Sequence, residues 1–179
     1  GASTYEAKEG VSIGICQQVC EYLISDKLTN PINMPIVDMS KLKSLTPYLE
    51  LSKIIGKIHN QLCDGPISNI SIECFGKVDD PKPIALSFLI GILESITDIR
   101  LNFINIGTIA DERGISYSHS YNSKHVSHTN LVKTIVKSGS KTFSISGSVF
   151  GDSHLKIVEI MNNTIDVNPD GVMLFVENK

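Results

Sequence analysis

Leu131-Val132-Lys133-Thr134-Ile135-Val136-Lys137-Ser138-Gly139-Ser140-Lys141-Thr142-Phe143-Ser144-Ile145-Ser146-Gly147-Ser148-Val149 decides the fold class. Two runs of β-branched residues flank a Ser-Gly-Ser turn, so Leu131 to Lys137 and Thr142 to Val149 read as a hairpin. Ser144, Ser146 and Ser148 fall on one face of the second strand, with Phe143, Ile145 and Val149 on the other. The serine face reads as an ordinary solvent face. A polar subunit interface is the alternative, because exposed strands and edges invite pairing.

The strand pattern extends outward in both directions. Downstream, Leu155 to Met161 and Thr164 to Val167 form a second hairpin around Asn162-Asn163, a pair tolerant of positive φ. Asn168-Pro169-Asp170-Gly171 then turns the chain into a strand over Val172 to Val176. Upstream, Ile115, Tyr117, His119 and Tyr121 alternate with Ser116, Ser118 and Ser120, and a polar loop, Asn122 to Asn130, follows. Helical segments precede these strands. Thr46 as cap with Pro47 at the first helical position starts a helix whose stripe is Leu51, Ile55, Ile58 and Leu62. Ile70, Ile72 and Cys74 alternate with Ser71 and Glu73 in a half-buried strand. Gly76 to Pro83 is a charged turn. Ile84 to Ile96 is a helix apolar nearly all round, and Leu101 to Ile104 a short strand. Asn105 to Arg113 is a short helix closed by Gly114.

The first segment stands apart. Ser3-Thr4-Tyr5-Glu6 matches the S-x-x-E capping box, so a helix should run from about Thr4 to Ser25. Its apolar residues cover most of its circumference, so it expects neighbours on several sides. Gly10 and Gly14 cost helix propensity, which a close backbone approach would justify. Two prolines in Leu28 to Pro35 mark a connector and a domain boundary. The fold class is therefore α+β. An isolated N-terminal helix and linker occupy 1–38. An α/β-sandwich-like domain with a mostly antiparallel sheet and helices packed on it occupies 39–179.

The 179 residues suffice for one ordinary core plus a tail of another domain. An apolar fraction of 41% and a charged fraction of 20% are those of a globular domain. A net charge of −3 argues against a nucleic-acid binder, and 6% aromatics with no Trp against base-stacking surfaces. No segment is long and apolar enough for a membrane span. Gly1 stands where a Met would open a natural chain, and Val176-Glu177-Asn178-Lys179 ends it inside what reads as a strand, so the chain reads as part of a longer protein. Cys16, Cys20, Cys63 and Cys74 contain no CxxC pair. They read as small buried residues in a reducing, cytoplasmic setting.

No GxSxG, HExxH, P-loop or GxGxxG occurs. His125-Val126-Ser127-His128 would be half a metal site with Asp152 as a remote partner, but solvated loop histidines are the simpler reading, and no metal is expected. The same loop suits an anion better. Lys124, His125 and His128, with Lys133 beyond, concentrate positive charge and N–H donors among Ser123, Ser127 and Thr129. Arg113 joins them if the fold brings it near. The competing reading is a solvated polar loop.

Gly1-Ala2-Ser3-Thr4-Tyr5-Glu6-Ala7, the long helix, and Asn33-Met34-Pro35 resemble D-3-phosphoglycerate dehydrogenases. In that family a Pro-His-Leu-Gly-Ala-Ser-Thr segment carries the catalytic histidine, and Gly1 to Thr4 match its tail. The remainder resembles the intervening, allosteric substrate-binding domain of the long form. The matching pieces are Pro47-Tyr48-Leu49-Glu50-Leu51, Asp64-Gly65-Pro66-Ile67, Lys82-Pro83, Gly91-Ile92-Leu93, Glu112-Arg113-Gly114, Val149-Phe150-Gly151, and Gly171 with Met173-Leu174. The family's usual Asn-Ala-Pro reads Asn105-Ile106-Gly107 here, and Tyr121, Thr129 and Ile135 stand about where some members carry basic anion-binding residues.

The resemblance implies a parent oxidoreductase that uses NAD in the first step towards serine. Its catalytic histidine would lie two positions before Gly1, and Gly1 and Ala2 would border the nicotinamide pocket. It also implies that residues 1–38 are the tail of the catalytic region, that the protein is a homo-oligomer, and that this chain alone is inactive. An effector such as 3-phosphoglycerate would meet Arg113, Lys124, His125, His128 and Lys133. A purely structural assembly module is the alternative. A related domain occurs in iron–sulfur serine dehydratases, but the four cysteines lack spacing for a cluster.

Overall fold

The computed structural model describes residues 4–25, 39–76, 78, 80–123, 130–151 and 153–176, with side chains from 44 onward in the second helix. Contacts divide the chain into two units, Gly1–Val37 and Asp38–Lys179.

In the first unit α1 spans Tyr5–Ser25. Thr4 Oγ1 accepts the Ala7 N–H at 3.3 Å, which caps the helix one residue later than the S-x-x-E pattern placed it. None of its residues is buried, and Val11, Ile13, Ile15, Val19 and Leu23 are all exposed. Cys16 and Cys20 are exposed too, contrary to the reading of the cysteines as buried. Within this unit's described residues nothing lies within 4 Å of a Cβ built at Gly10 or Gly14.

The second unit is a six-stranded sheet with helices on one face. Its elements are α2 (Met39–Leu62), β1 (Ile67–Phe75), α3 (Pro81–Leu93), a 3-10 turn at Glu94–Ile96, α4 (Ile106–Glu112), β2 (Ser116–Asn122), β3 (Leu131–Ser138), β4 (Lys141–Phe150), β5 (His154–Ile160) and β6 (Asn163–Val167). Strand order is β2-β1-β3-β4-β5-β6. Among the described strands only β1 and β2 pair in parallel, linked through α3 and α4. The other pairs are antiparallel.

The helix α2 begins eight residues before Pro47, which sits inside it rather than at its start. Proline removes one N–H there, but Leu45, Tyr48, Leu51, Ile55 and Ile58 continue one buried stripe on both sides of it. Burial of that stripe offsets the lost hydrogen bond. The α3 helix starts after Asp80, whose carboxylate accepts the Lys82 N–H at 3.3 Å. Ile84, Ala85, Phe88, Leu89, Ile92 and Leu93 are fully buried in it, as its all-round apolarity predicts.

Glycine lets α2 and α3 touch. A Cβ on Gly56 would stand 2.8 Å from the Ile92 nitrogen, and one on Gly91 would collide with the Lys53 backbone. Gly147 on β4 likewise lies under the Leu51 and Ile55 methyls. The crossing is further tied by Ser52 Oγ to Ile84 O, Ser87 Oγ to Leu49 O, and Asn60 Nδ2 to Ile92 O, each within 2.9 Å.

Three strand readings change. Leu101–Ile104 is a turn, because Asn102 Oδ1 accepts the N–H groups of Ile104 and Asn105 while the Asn105 carboxamide binds Asn102 and Arg100. Residues 172–176 join no ladder, and Val172 and Leu174 stand exposed. The β5–β6 hairpin turns at Met161 and Asn162, with φ of 49° and 65°, one residue before Asn162-Asn163. The serine face of β4 also differs. Ser146 and Ser148 are 1% and 2% exposed, so this is not an ordinary solvent face. The two short side chains stand mid-sheet, opposite the longer Lys133 and Leu131 on β3 and Glu159 and Lys156 on β5.

Candidate functional site

Alternation fixes which side chains meet the helices. Ile70, Ile72 and Cys74 on β1, and Val132, Thr134 and Val136 on β3, are buried beneath α2 and α3. The opposite face carries Ser71 and Glu73 on β1, Lys133 and Ile135 on β3, and Ser144, Ser146 and Ser148 on β4. Lys133 therefore sits on the face without helices, opposite Glu73 on one side and Ser146 on the other. The Asn122 Nδ2 donates to Glu73 Oε1 at 3.0 Å beside it. The Ser146 hydroxyl is buried without a partner.

Arg113 stands elsewhere. It ends α4, and its Nη2 donates to Ile96 O at 3.0 Å. It lines a cleft of about 430 Å³ with Asn60, Cys63, Ile67 and Ile115, at the end of the sheet where β1 and β2 begin. Ile67 and Glu73 are six residues apart on β1, about 20 Å of extended chain. The fold thus does not join Arg113 and Lys133 in one site. Lys124, His125 and His128, and also Gly1 and Ala2, lie outside the described residues.

The Arg113 cleft suits a small anion by the chemistry of its walls. A guanidinium with one N–H bound to a carbonyl keeps donors for a carboxylate or phosphate. Asn60 is already committed, donating to Ile92 O and accepting from Ser95 Oγ. The Cys63 thiol is pushed up chiefly by burial and also by Asp64, against a Ser138 hydrogen bond, which disfavours the nucleophilic thiolate. A second hollow of about 260 Å³ is lined by Glu50, His154 and Asp170, and two carboxylates make it the poorer anion site. Among the described residues no group of His, Cys, Asp and Glu is placed to hold a metal, and no helix is long and apolar enough to cross a membrane.

One polar cluster went unnoticed in the sequence. His59 on α2 is fully buried, and its Nε2 lies 2.9 Å from Thr134 Oγ1. The Thr134 hydroxyl donates to Ile145 O at 2.8 Å, which uses its one proton. His59 must therefore donate from Nε2, leaving Nδ1 as a bare acceptor without a partner. Its ring meets Phe88 edge-on, with centroids 5.5 Å apart. Burial lowers its pKa to about 3, so it is neutral at physiological pH. Its i, i+4 place in the stripe with Ile55 was the trace it left in the sequence.

A family model described as the D-3-phosphoglycerate dehydrogenase intervening domain matches residues 44–161. The chain belongs to this family. The match takes in β1 to β5 with α3 and α4. The D-3-phosphoglycerate dehydrogenase of Methanocaldococcus jannaschii is 29% identical over 180 residues, covering 99% of this chain and 34% of that protein. The Bacillus subtilis D-3-phosphoglycerate dehydrogenase is 26% identical over 181 residues, covering all of this chain and 34% of its own length. The chloroplastic D-3-phosphoglycerate dehydrogenase 2 of Arabidopsis thaliana is 35% identical over 124 residues, 66% of this chain and 20% of that protein. The chain thus spans about a third of the length of the full-span relatives it matches. The intervening domain of this family is here an α/β layer whose sheet has one face bare of helices.

Proposed function

We propose that this chain is the regulatory part of a cytoplasmic, NAD-dependent D-3-phosphoglycerate dehydrogenase. The parent enzyme would transfer hydride from C2 of 3-phosphoglycerate to NAD⁺, giving 3-phosphohydroxypyruvate on the way to L-serine. The family match over residues 44–161 carries this reading. The described residues do not fit NAD themselves. They hold one parallel strand pair in an otherwise antiparallel sheet, and the sequence contains no Gly-x-Gly-x-x-Gly turn to approach a pyrophosphate. No hydride step is therefore derived from them, and the chain alone should produce no NADH.

The domain's own role is to bind a phosphorylated carboxylate such as 3-phosphoglycerate and couple it to the active site. Arg113 in its cleft supports this reading, as does the cationic sequence of Lys124, His125, His128 and Lys133. Because Arg113 and Lys133 are far apart, they define two competing positions. Calorimetric titration with 3-phosphoglycerate, with phosphate and L-serine as controls, separates them. Saturable binding lost in Arg113→Ala places the anion in the cleft. Loss in Lys124→Ala/Lys133→Ala places it at the loop. No binding at millimolar ligand refutes the effector role for this chain. Assembly is then the better function, and the exposed Ile135 on the bare face favours it.

A further inference from the structure

The edge strand β2 reads almost the same in both directions about its centre. Ser116-Tyr117-Ser118-His119-Ser120-Tyr121-Asn122 places Tyr117 and Tyr121 symmetrically around His119, with Ser118 and Ser120 between them. One side of β2 pairs with β1, and it ends the strand order, so among the described residues its other side carries main-chain N–H and C=O groups with no strand against them. The usual protections of an edge are absent: the strand holds no Pro, no Lys and no irregularity in its register. Ser118, His119, Ser120 and Tyr121 are exposed. The opposite edge, β6, is only five residues long and holds Asp166, and β5 pairs with it irregularly. That is how an edge is blunted.

We infer that β2 is a self-association strand, which pairs antiparallel with β2 of a second copy about a two-fold axis at His119. A two-fold interface must be complementary to itself, and the near-palindrome meets that condition. Pairing centred on His119 sets Ser118 opposite the second copy's Ser120, and Tyr117 opposite its Tyr121. Hydroxyl pairs and aromatic pairs are both favourable across strands. No residue of the strand carries a formal charge with histidine neutral, so nothing is repelled when it meets itself. Tyr117, His119 and Tyr121 lie in register with Ile70, Ile72 and Cys74, on the helix-covered side. The serines lie in register with Asn69, Ser71 and Glu73 on the bare face. The pair joins two six-stranded sheets into one of twelve strands. This inference does not rest on effector binding.

The test is a charge exchange at the axis, read by sedimentation velocity over a range of concentrations. The wild-type chain should reach twice the 19.6 kDa of one copy as concentration rises. His119→Glu and His119→Lys, at an exposed position, should each stay at the mass of one copy, because each opposes like charges. An equimolar mixture of the two variants should restore the doubled mass. A wild-type chain that stays monomeric overturns the inference. So does a dimer that persists in either variant, since it assembles through another surface. A mixture that fails to recover the dimer overturns it as well.

Discussion

His59 makes the domain acid-sensitive in a way that one substitution can isolate. Its pKa falls from 6.5 to about 3 on folding, because burial penalises the charged ring, whose second proton would sit at Nδ1 with no acceptor. The unfolded chain then binds a proton that the folded one refuses. The contribution to stability is complete above pH 6.5 and is lost as pH falls from there towards 3. Integrated from pH 7 to pH 5, the loss is about 2 kcal/mol, with a slope approaching about 1.4 kcal/mol per pH unit. The folded value hardly enters over this range, since it lies well below pH 5. The assay is urea unfolding at pH 7, 6 and 5 for wild type and His59→Leu. The variant keeps the Thr134 bond to Ile145 O and every other titrating group, so the difference between the two curves reports His59. Wild type should lose about 2 kcal/mol more than the variant between pH 7 and pH 5. Parallel pH dependences would refute the reasoning.

Other consequences follow from single contacts. Gly91→Ala should destabilise by about 3 kcal/mol in urea unfolding, because its Cβ meets the Lys53 main chain rather than a movable side chain. Asp80→Ala should cost about 1 kcal/mol by the same measurement, through loss of the α3 cap. Thiol titration at pH 8 should label exposed Cys16 and Cys20 quickly. Cys74, pushed up to about 12 by burial and then by Glu73 and Asp80, should react only after unfolding. Thr134→Val should cost about 1–3 kcal/mol in unfolding, as it strips His59 of its acceptor.

The site was legible only in part. Residue types marked Arg113 and Lys133 as candidate anion ligands, but composition carries no distance. Six residues of β1 and a change of sheet end separate them. The serine face of β4 looked solvated because alternation distinguishes two faces without saying what stands beside each. The sequence pairs the Lys133 strand with β4 as a hairpin, but Glu159, the other neighbour of Ser146, comes from β5, which no turn signal joins to β4. Pro47 misled the start of α2 because a local rule about one missing N–H was outweighed by a buried stripe running through it.

Local pattern by itself determined most element types, the mostly antiparallel sheet, the Gly114 stop of α4 and the family, since each depends on residues near one another in sequence. Tertiary structure alone decided the parallel pairing of β2 beside β1, which exposes a near-palindromic edge. It also decided the glycine contact of α2 with α3, and the burial of His59 against Thr134, 75 residues away. Those features depend on which distant surfaces meet, and hydrophobic periodicity specifies a buried face without naming its partner.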